Sequence, residues 1–127
     1  MRRARGRFIV LTAIAVAAGL LVHWAGAPLG PAVRDVLGDA LWAAMVVFGI
    51  GVVAPRASLV VRCAVASAIC AVVEVSQRYH APALDALRET GLGHLVLGSG
   101  FDPRDFAAYA GGIAGAAMLE LAINRRT

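Results

Sequence analysis

Lysine is absent, and all twelve basic residues are arginine. Charge of either sign is scarce, at 16% of 127 residues, against about 25% in soluble domains. Cysteine occurs twice, as Cys63 and Cys70, within one apolar stretch. That spacing is neither a CxxC redox pair nor a zinc pattern. On one helix the two thiols lie too far apart for a disulfide, so they read as small packing residues. There is no GxGxxG, no P-loop, no GxSxG and no CxxC. These absences remove the standard nucleotide, serine-hydrolase and redox classes. His23, His80 and His94 stand near many carboxylates, but no H-x₃-H or HExxH spacing joins them, so no metal and no cofactor is expected.

Apolar side chains make up the bulk: 60% of residues are hydrophobic, and the mean hydropathy is +0.76. A small soluble domain cannot hide that much apolar surface, because its surface is too large for its volume. Disorder and a disulfide scaffold fail on the same arithmetic. An integral membrane protein remains. The net charge of +4 is not gathered into one basic face, so no nucleic-acid partner is implied. The arginines sit instead at the ends of apolar segments, which is a topology signal.

Four spans follow, at about residues 8–26, 39–54, 57–76 and 105–123. The first is a charge-free run close to the ~20 residues that cross a hydrocarbon core. It follows Arg2, Arg3, Arg5 and Arg7, and Ala25-Gly26-Ala27 loosely resembles a signal-peptide cleavage site. Three further hydrophobic segments favour an uncleaved first span. The link between the second and third spans is short enough to force a tight antiparallel hairpin. The expected fold is therefore all-α, a single polytopic bundle of four transmembrane helices. A long connector, structured or re-entrant, precedes the last helix. Within it Pro82 to Glu89 reads as a short amphipathic helix, and the glycine-framed run Gly91 to Phe101 as a re-entrant segment.

With the N-terminus in the cytoplasm, Arg2, Arg3, Arg5, Arg7, Arg56, Arg62, Arg125 and Arg126 fall inside. Arg34, Arg78, Arg88 and Arg104 fall outside. That bias favours both termini inside, in a bacterial plasma membrane. The same placement sends every carboxylate except Glu120 outward.

Ionisable groups at membrane depth cost about 2.5–3.5 kcal/mol each and face protein or a water-filled cavity. Arg62 and Glu120 match in depth near the inner side, so a structural salt bridge is expected, with snorkelling as its alternative. The outer side is richer. Glu74 and Gln77 share a face of span three. Asp105 and Tyr109 share one on span four, after Asp102 and Pro103, which suit a helix start. Asp39 and Trp42 open span two, and Arg88 lies on the connector as a counter-ion. The plain alternative is that Asp39, Asp102 and Asp105 only cap helices and that Trp42, Tyr79 and Tyr109 are interfacial aromatics. Glu74 resists it, because a carboxylate near a helix C-terminus is disfavoured without a cation. Gly111 and Gly115 form a GxxxG beside Gly112, for packing within the bundle or as a homodimer seam.

Gly38-Asp39-Ala40-Leu41-Trp42, Glu74-x-x-Gln77, Arg88-x-Thr90-x-Leu92-Gly93-x-Leu95-x-Leu97-Gly98-x-Gly100-Phe101 and Asp105-x-x-x-Tyr109-x-x-Gly112 together resemble small bacterial membrane proteins of domain of unknown function 2809. The resemblance covers nearly the whole chain after the first span. Glu74, Gln77, Arg88, Asp105 and Gly112 are also similar to the VanZ-like pattern, linked to glycopeptide tolerance and the cell envelope. Tyr109 stands where that pattern tends to place Asn. The resemblance and the clustering together imply an extracytoplasmic pocket for a membrane lipid or other amphiphile. Glu74 or Asp105 would serve there as acid or base, and Arg88 as the anion partner or orienting cation. Asp39, Trp42, Gln77, Asp102 and Tyr109 would contact the ligand. The alternative is a non-catalytic small transporter or a packing subunit of a membrane complex.

Overall fold

A computed structural model describes residues 2–76, 82–90 and 104–126. Helix α1 spans Arg2–Ala25, and a 3₁₀ turn at Ala27–Leu29 leads into α2, Pro31–Val53. Then follow α3, Leu59–Ser76, α4, Pro82–Glu89, and α5, Arg104–Arg126. No strand occurs among the described residues. Helices α1, α2, α3 and α5 are each long and apolar enough to cross a membrane. The protein is an all-α bundle with four candidate spans.

Helix α2 is the hub, touching α1, α3 and α5, while α3 also packs on α5. The core is built largely from small residues: Ala43, Ala66, Ala108 and Ala116 are buried beside Phe8, Val47 and Phe48. In lipid, apolar burial gives helices little reason to associate. Small side chains compensate by letting backbones approach and gain dispersion contacts. Gly112 is the tightest such point, since a Cβ there would lie 2.7 Å from the carbonyl carbon of Ala40 on α2. Gly51 is the second, where an added Cβ would lie 2.6 Å from the ring of Phe8 on α1. Ile14, Val60, Val72 and Met118 point outward, as lipid-facing positions of a spanning bundle do.

Local chemistry sets the turns. Pro31 fits the first turn of α2, where its missing N–H costs nothing. Gly30 supplies the positive φ of +85° just before it. Arg34 reaches back from α2, donating from Nε to the Val22 carbonyl at 3.3 Å and from Nη2 to the His23 carbonyl. A cation thus meets the negative end of the α1 dipole, which gives Arg34 a structural role at an end otherwise dominated by acids. Between α2 and α3 the chain turns in a few residues, as expected of a tight hairpin. Ala54 N–H bonds Ile50 O at 2.7 Å, and Ser58 Oγ accepts from Val61 N–H at 3.2 Å to cap α3.

The helices differ from the expected spans in informative places. Helix α2 starts at Pro31, not near Asp39. Asp39 is therefore more than two turns inside the helix and is no N-cap. The short helix expected at Pro82–Glu89 is present, whereas the re-entrant reading of residues 91–101 falls outside the described residues. Gly111 and Gly115 have open space beside them and face outward. The close approach inside the bundle belongs to their neighbour Gly112, because a helix turns those two positions away from α2.

At the basic end, which carries both chain termini, Arg62 of α3 and Glu120 of α5 are both buried. Arg62 donates from Nη1 to Glu120 Oε2 at 2.9 Å and from Nη2 to Oε1. Its Nε donates to the Ala57 carbonyl at 3.3 Å, and its guanidinium lies 4.6 Å from the centre of the Phe8 ring. The pair is a buried bidentate bridge, not two snorkelling side chains. It joins α3 to α5 beneath a lid supplied by α1.

Two predictions follow from the packing. Gly112→Ala forces α2 and α5 apart and costs about 1–3 kcal/mol by overpacking, while Gly111→Ala is neutral or slightly stabilising. Unfolding of both variants in detergent, monitored by circular dichroism, separates them. Glu120→Gln leaves Arg62 as a buried charge with half its partner gone and costs about 3–5 kcal/mol. The double variant Arg62→Met/Glu120→Leu costs less than Glu120→Gln, a non-additivity read from the same unfolding curves.

Candidate functional site

Three helices each bring an acid to the opposite, acidic end. Glu74, in the last turn of α3, is fully buried at 0% exposure. The Tyr109 hydroxyl of α5 donates to Glu74 Oε2 at 3.1 Å. Tyr109 is itself buried, packed with Ala43 and Cys70. Its ring centre lies 6.1 Å from that of Trp42 on α2, at a tilt of 49°. The Trp42 indole Nε1 is buried and makes no hydrogen bond.

One turn before Trp42 on α2 stands Asp39, and one turn before Tyr109 on α5 stands Asp105. The Asp39 and Asp105 carboxyls are close enough to act on each other, and Glu74 is near enough to act on Asp39 through its charge. Asp105 also lies in the first turn of α5, where the helix dipole favours an acid. The pairings Asp39 with Asp105 and Trp42 with Tyr109 run in the same chain direction, so α2 and α5 are parallel neighbours here. The pairings Glu74 with Tyr109 and Arg62 with Glu120 run oppositely, so α3 is antiparallel to α5.

Of the residues expected at the site, Glu74, Asp105, Asp39, Trp42 and Tyr109 are thus brought together. Arg88 is placed on α4, but its side chain lies outside the described residues, as do Gln77 and Asp102 entirely. Among the described residues, no group of three or more His, Cys, Asp or Glu is disposed to hold a metal ion. Cys63 and Cys70 are free.

Sequence reasoning missed residues at both ends of the bundle. Phe8 lies on α1 at the basic end, and nothing in spacing or composition connects it to Arg62 or to Gly51. At the acidic end the closeness of Asp39 to Asp105 was not legible, because it depends on the close approach at Gly112.

Chemically, the arrangement offers a buried carboxyl oriented by a phenol, two neighbouring carboxyls from different helices, and an indole N–H without an acceptor. Tyr109→Phe removes the hydroxyl from a buried acceptor and costs about 1–3 kcal/mol of stability. Thermal unfolding checks this, and Trp42 fluorescence in a Trp24→Phe background reports whether the aromatic contact persists.

The family model described as protein of unknown function (DUF2809) matches residues 29–113. The match takes in α2, α3, α4 and the first part of α5, and therefore every described member of the acidic cluster. No solved structure matches the chain. By the extent of that match, the chain belongs to the DUF2809 family.

Proposed function

We propose that this is a VanZ-like bacterial membrane protein whose acidic end binds, and performs acid–base chemistry on, the polar head of an amphiphile. The membrane is the bacterial plasma membrane, with both termini cytoplasmic, so the acidic end faces the cell envelope. The observation that carries the reading is the meeting of Glu74, Asp39 and Asp105 from three helices around the Tyr109 hydroxyl. Neighbouring carboxyls are the arrangement in which one group can donate a proton while another accepts it. Glu74 or Asp105 acts as general acid or base, and Arg88 pairs with an anionic group of the ligand or orients the acids. Asp39, Trp42, Gln77, Asp102 and Tyr109 line the polar part of the pocket. The tail of the ligand lies among the helices.

A proton-coupled transporter would need ionisable groups reaching from one face to the other. Between the two ends the described core consists of Ala43, Val47, Phe48, Ala66, Cys70, Gly112 and Ala116. It holds no carboxylate, arginine or histidine, and Glu120 is already engaged by Arg62. The remaining alternative, a packing subunit or a homodimer, draws support from Gly111 and Gly115, which leave room for another helix.

Glu74→Gln, Asp105→Asn and Arg88→Gln, each expressed in a bacterial host and checked for normal insertion, decide between these readings. The lipid and envelope-precursor profile of the host is compared by mass spectrometry with that of the unmodified protein. Each variant loses the product at least a hundredfold, within the range for a removed acid–base group. Full conversion by all three overturns the reading. Proton-dependent flux in liposomes would establish the transporter, and loss of function only in Gly111→Val/Gly115→Val would establish the packing role.

A further inference from the structure

The basic end has a feature that the acidic pocket does not use. Arg5 on α1 donates from Nε to the carbonyl of Val52, near the end of α2, at 3.1 Å. Arg7 donates from Nη1 to Asn124 Oδ1, near the end of α5, at 2.8 Å. These two bonds draw three chain segments together, and each segment carries further arginines. Arg2 and Arg3 precede Arg5 on α1, Arg56 follows Val52 in the turn, and Arg125 and Arg126 follow Asn124. Arg2, Arg3, Arg56, Arg125 and Arg126 are exposed. The Nε of Arg7 is buried without a partner.

Among the described residues, opposing charge is scarce at this end. Its one carboxylate among the described residues is Glu120, and Arg62 occupies both of its oxygens. The positive end of the α1 dipole points the same way. Seven arginines on segments that two hydrogen bonds draw together repel one another, and an anion among them relieves that repulsion. The groups stand where helices long enough to cross a membrane emerge, at the depth of lipid headgroups. Guanidinium forks match phosphate oxygens in pairs, and clustered basic residues beside a span bind anionic lipids.

We propose that this face is a binding site for anionic phospholipid headgroups, with the phosphodiester seated among the arginines of α1, the α2–α3 turn and the end of α5. The arginines therefore do more than set topology. Arg5 and Arg7 hold the three segments in place, while Arg56, Arg125 and Arg126 meet the lipid. The site stands apart from the acidic pocket and does not depend on its function.

The test uses the full chain purified in a non-ionic detergent and titrated with phosphatidylglycerol, phosphatidylcholine or inorganic phosphate. Binding is read by native mass spectrometry and by the rise in unfolding temperature. Phosphatidylglycerol binds at least tenfold more tightly than phosphatidylcholine, and added salt weakens it. Arg56→Gln and Arg125→Gln/Arg126→Gln each reduce the preference severalfold. Both variants keep the unfolding temperature of the unmodified protein in phosphatidylcholine, because these side chains make no internal bond. Equal binding of the two lipids overturns the proposal. So does an equal effect of inorganic phosphate, or an undiminished preference in both variants.

Discussion

Gly112 lets the backbone of α5 touch that of α2 at Ala40, and the acidic end depends on that contact. Asp39 is the next residue before Ala40, and Asp105 and Tyr109 lie on the two turns of α5 that precede Gly112. Any side chain at the crossing would separate the helices and move Asp39 away from Asp105. The crossing also sets the distance between Trp42 and Tyr109, and through Tyr109 the anchoring of Glu74. Five side chains of the cluster thus take their positions from a residue that has none. This is the general economy of helices in lipid, where close backbones replace the hydrophobic drive available in water.

The two ends of the bundle treat buried charge in opposite ways. At the basic end the Arg62 guanidinium spends Nη1 and Nη2 on Glu120 and Nε on Ala57, with an aromatic face above it. A charge satisfied so fully has little left to offer a ligand, and its effect is to fix α1, α3 and α5 relative to one another. At the acidic end carboxyls outnumber the described donors. Glu74 accepts from the Tyr109 phenol, Asp39 and Asp105 stand beside each other, and the indole N–H of Trp42 meets no acceptor. Carboxyls gathered from three helices are electrostatically costly, and such clusters are found where binding or proton transfer makes use of them.

Much of this was legible before any coordinates. Hydropathy and the positions of the arginines mark four spans, because lipid imposes length and charge rules on sequence that water does not. Matched depth was enough to pair Arg62 with Glu120. Clustering at helix mouths was enough to group Glu74, Asp39 and Asp105. Helix starts were less legible: Arg34 and Asp35 interrupt the apolar run, so the span reads as opening near Asp39, which in fact lies well inside α2. The choice among Gly111, Gly112 and Gly115 was also hidden. A GxxxG pattern says that some face of α5 is smooth, but only the crossing with α2 decides which face is used. Phe8 and Gly51 show the same limit, being far apart in sequence, ordinary in composition, and complementary only in three dimensions.

The family match helps to separate these roles. Residues 29–113 contain the acidic cluster whole, together with Arg62. They exclude Phe8 and Glu120, the ring and the carboxylate that satisfy Arg62. A bundle reduced to the matched segment would keep its candidate chemistry but hold an arginine at membrane depth with neither partner, at a cost that insertion scales put at about 2.5–3.5 kcal/mol. Helix α1 and the last turns of α5 therefore do more than add spans. Arg5 and Arg7 of α1 bind the ends of α2 and α5, Phe8 closes over Arg62, and Gly51 makes room for the ring. The basic end is where the bundle is tied together. That tie lets the helix mouths at the other end carry a cluster of acids, of which Glu74 is held by the Tyr109 hydroxyl.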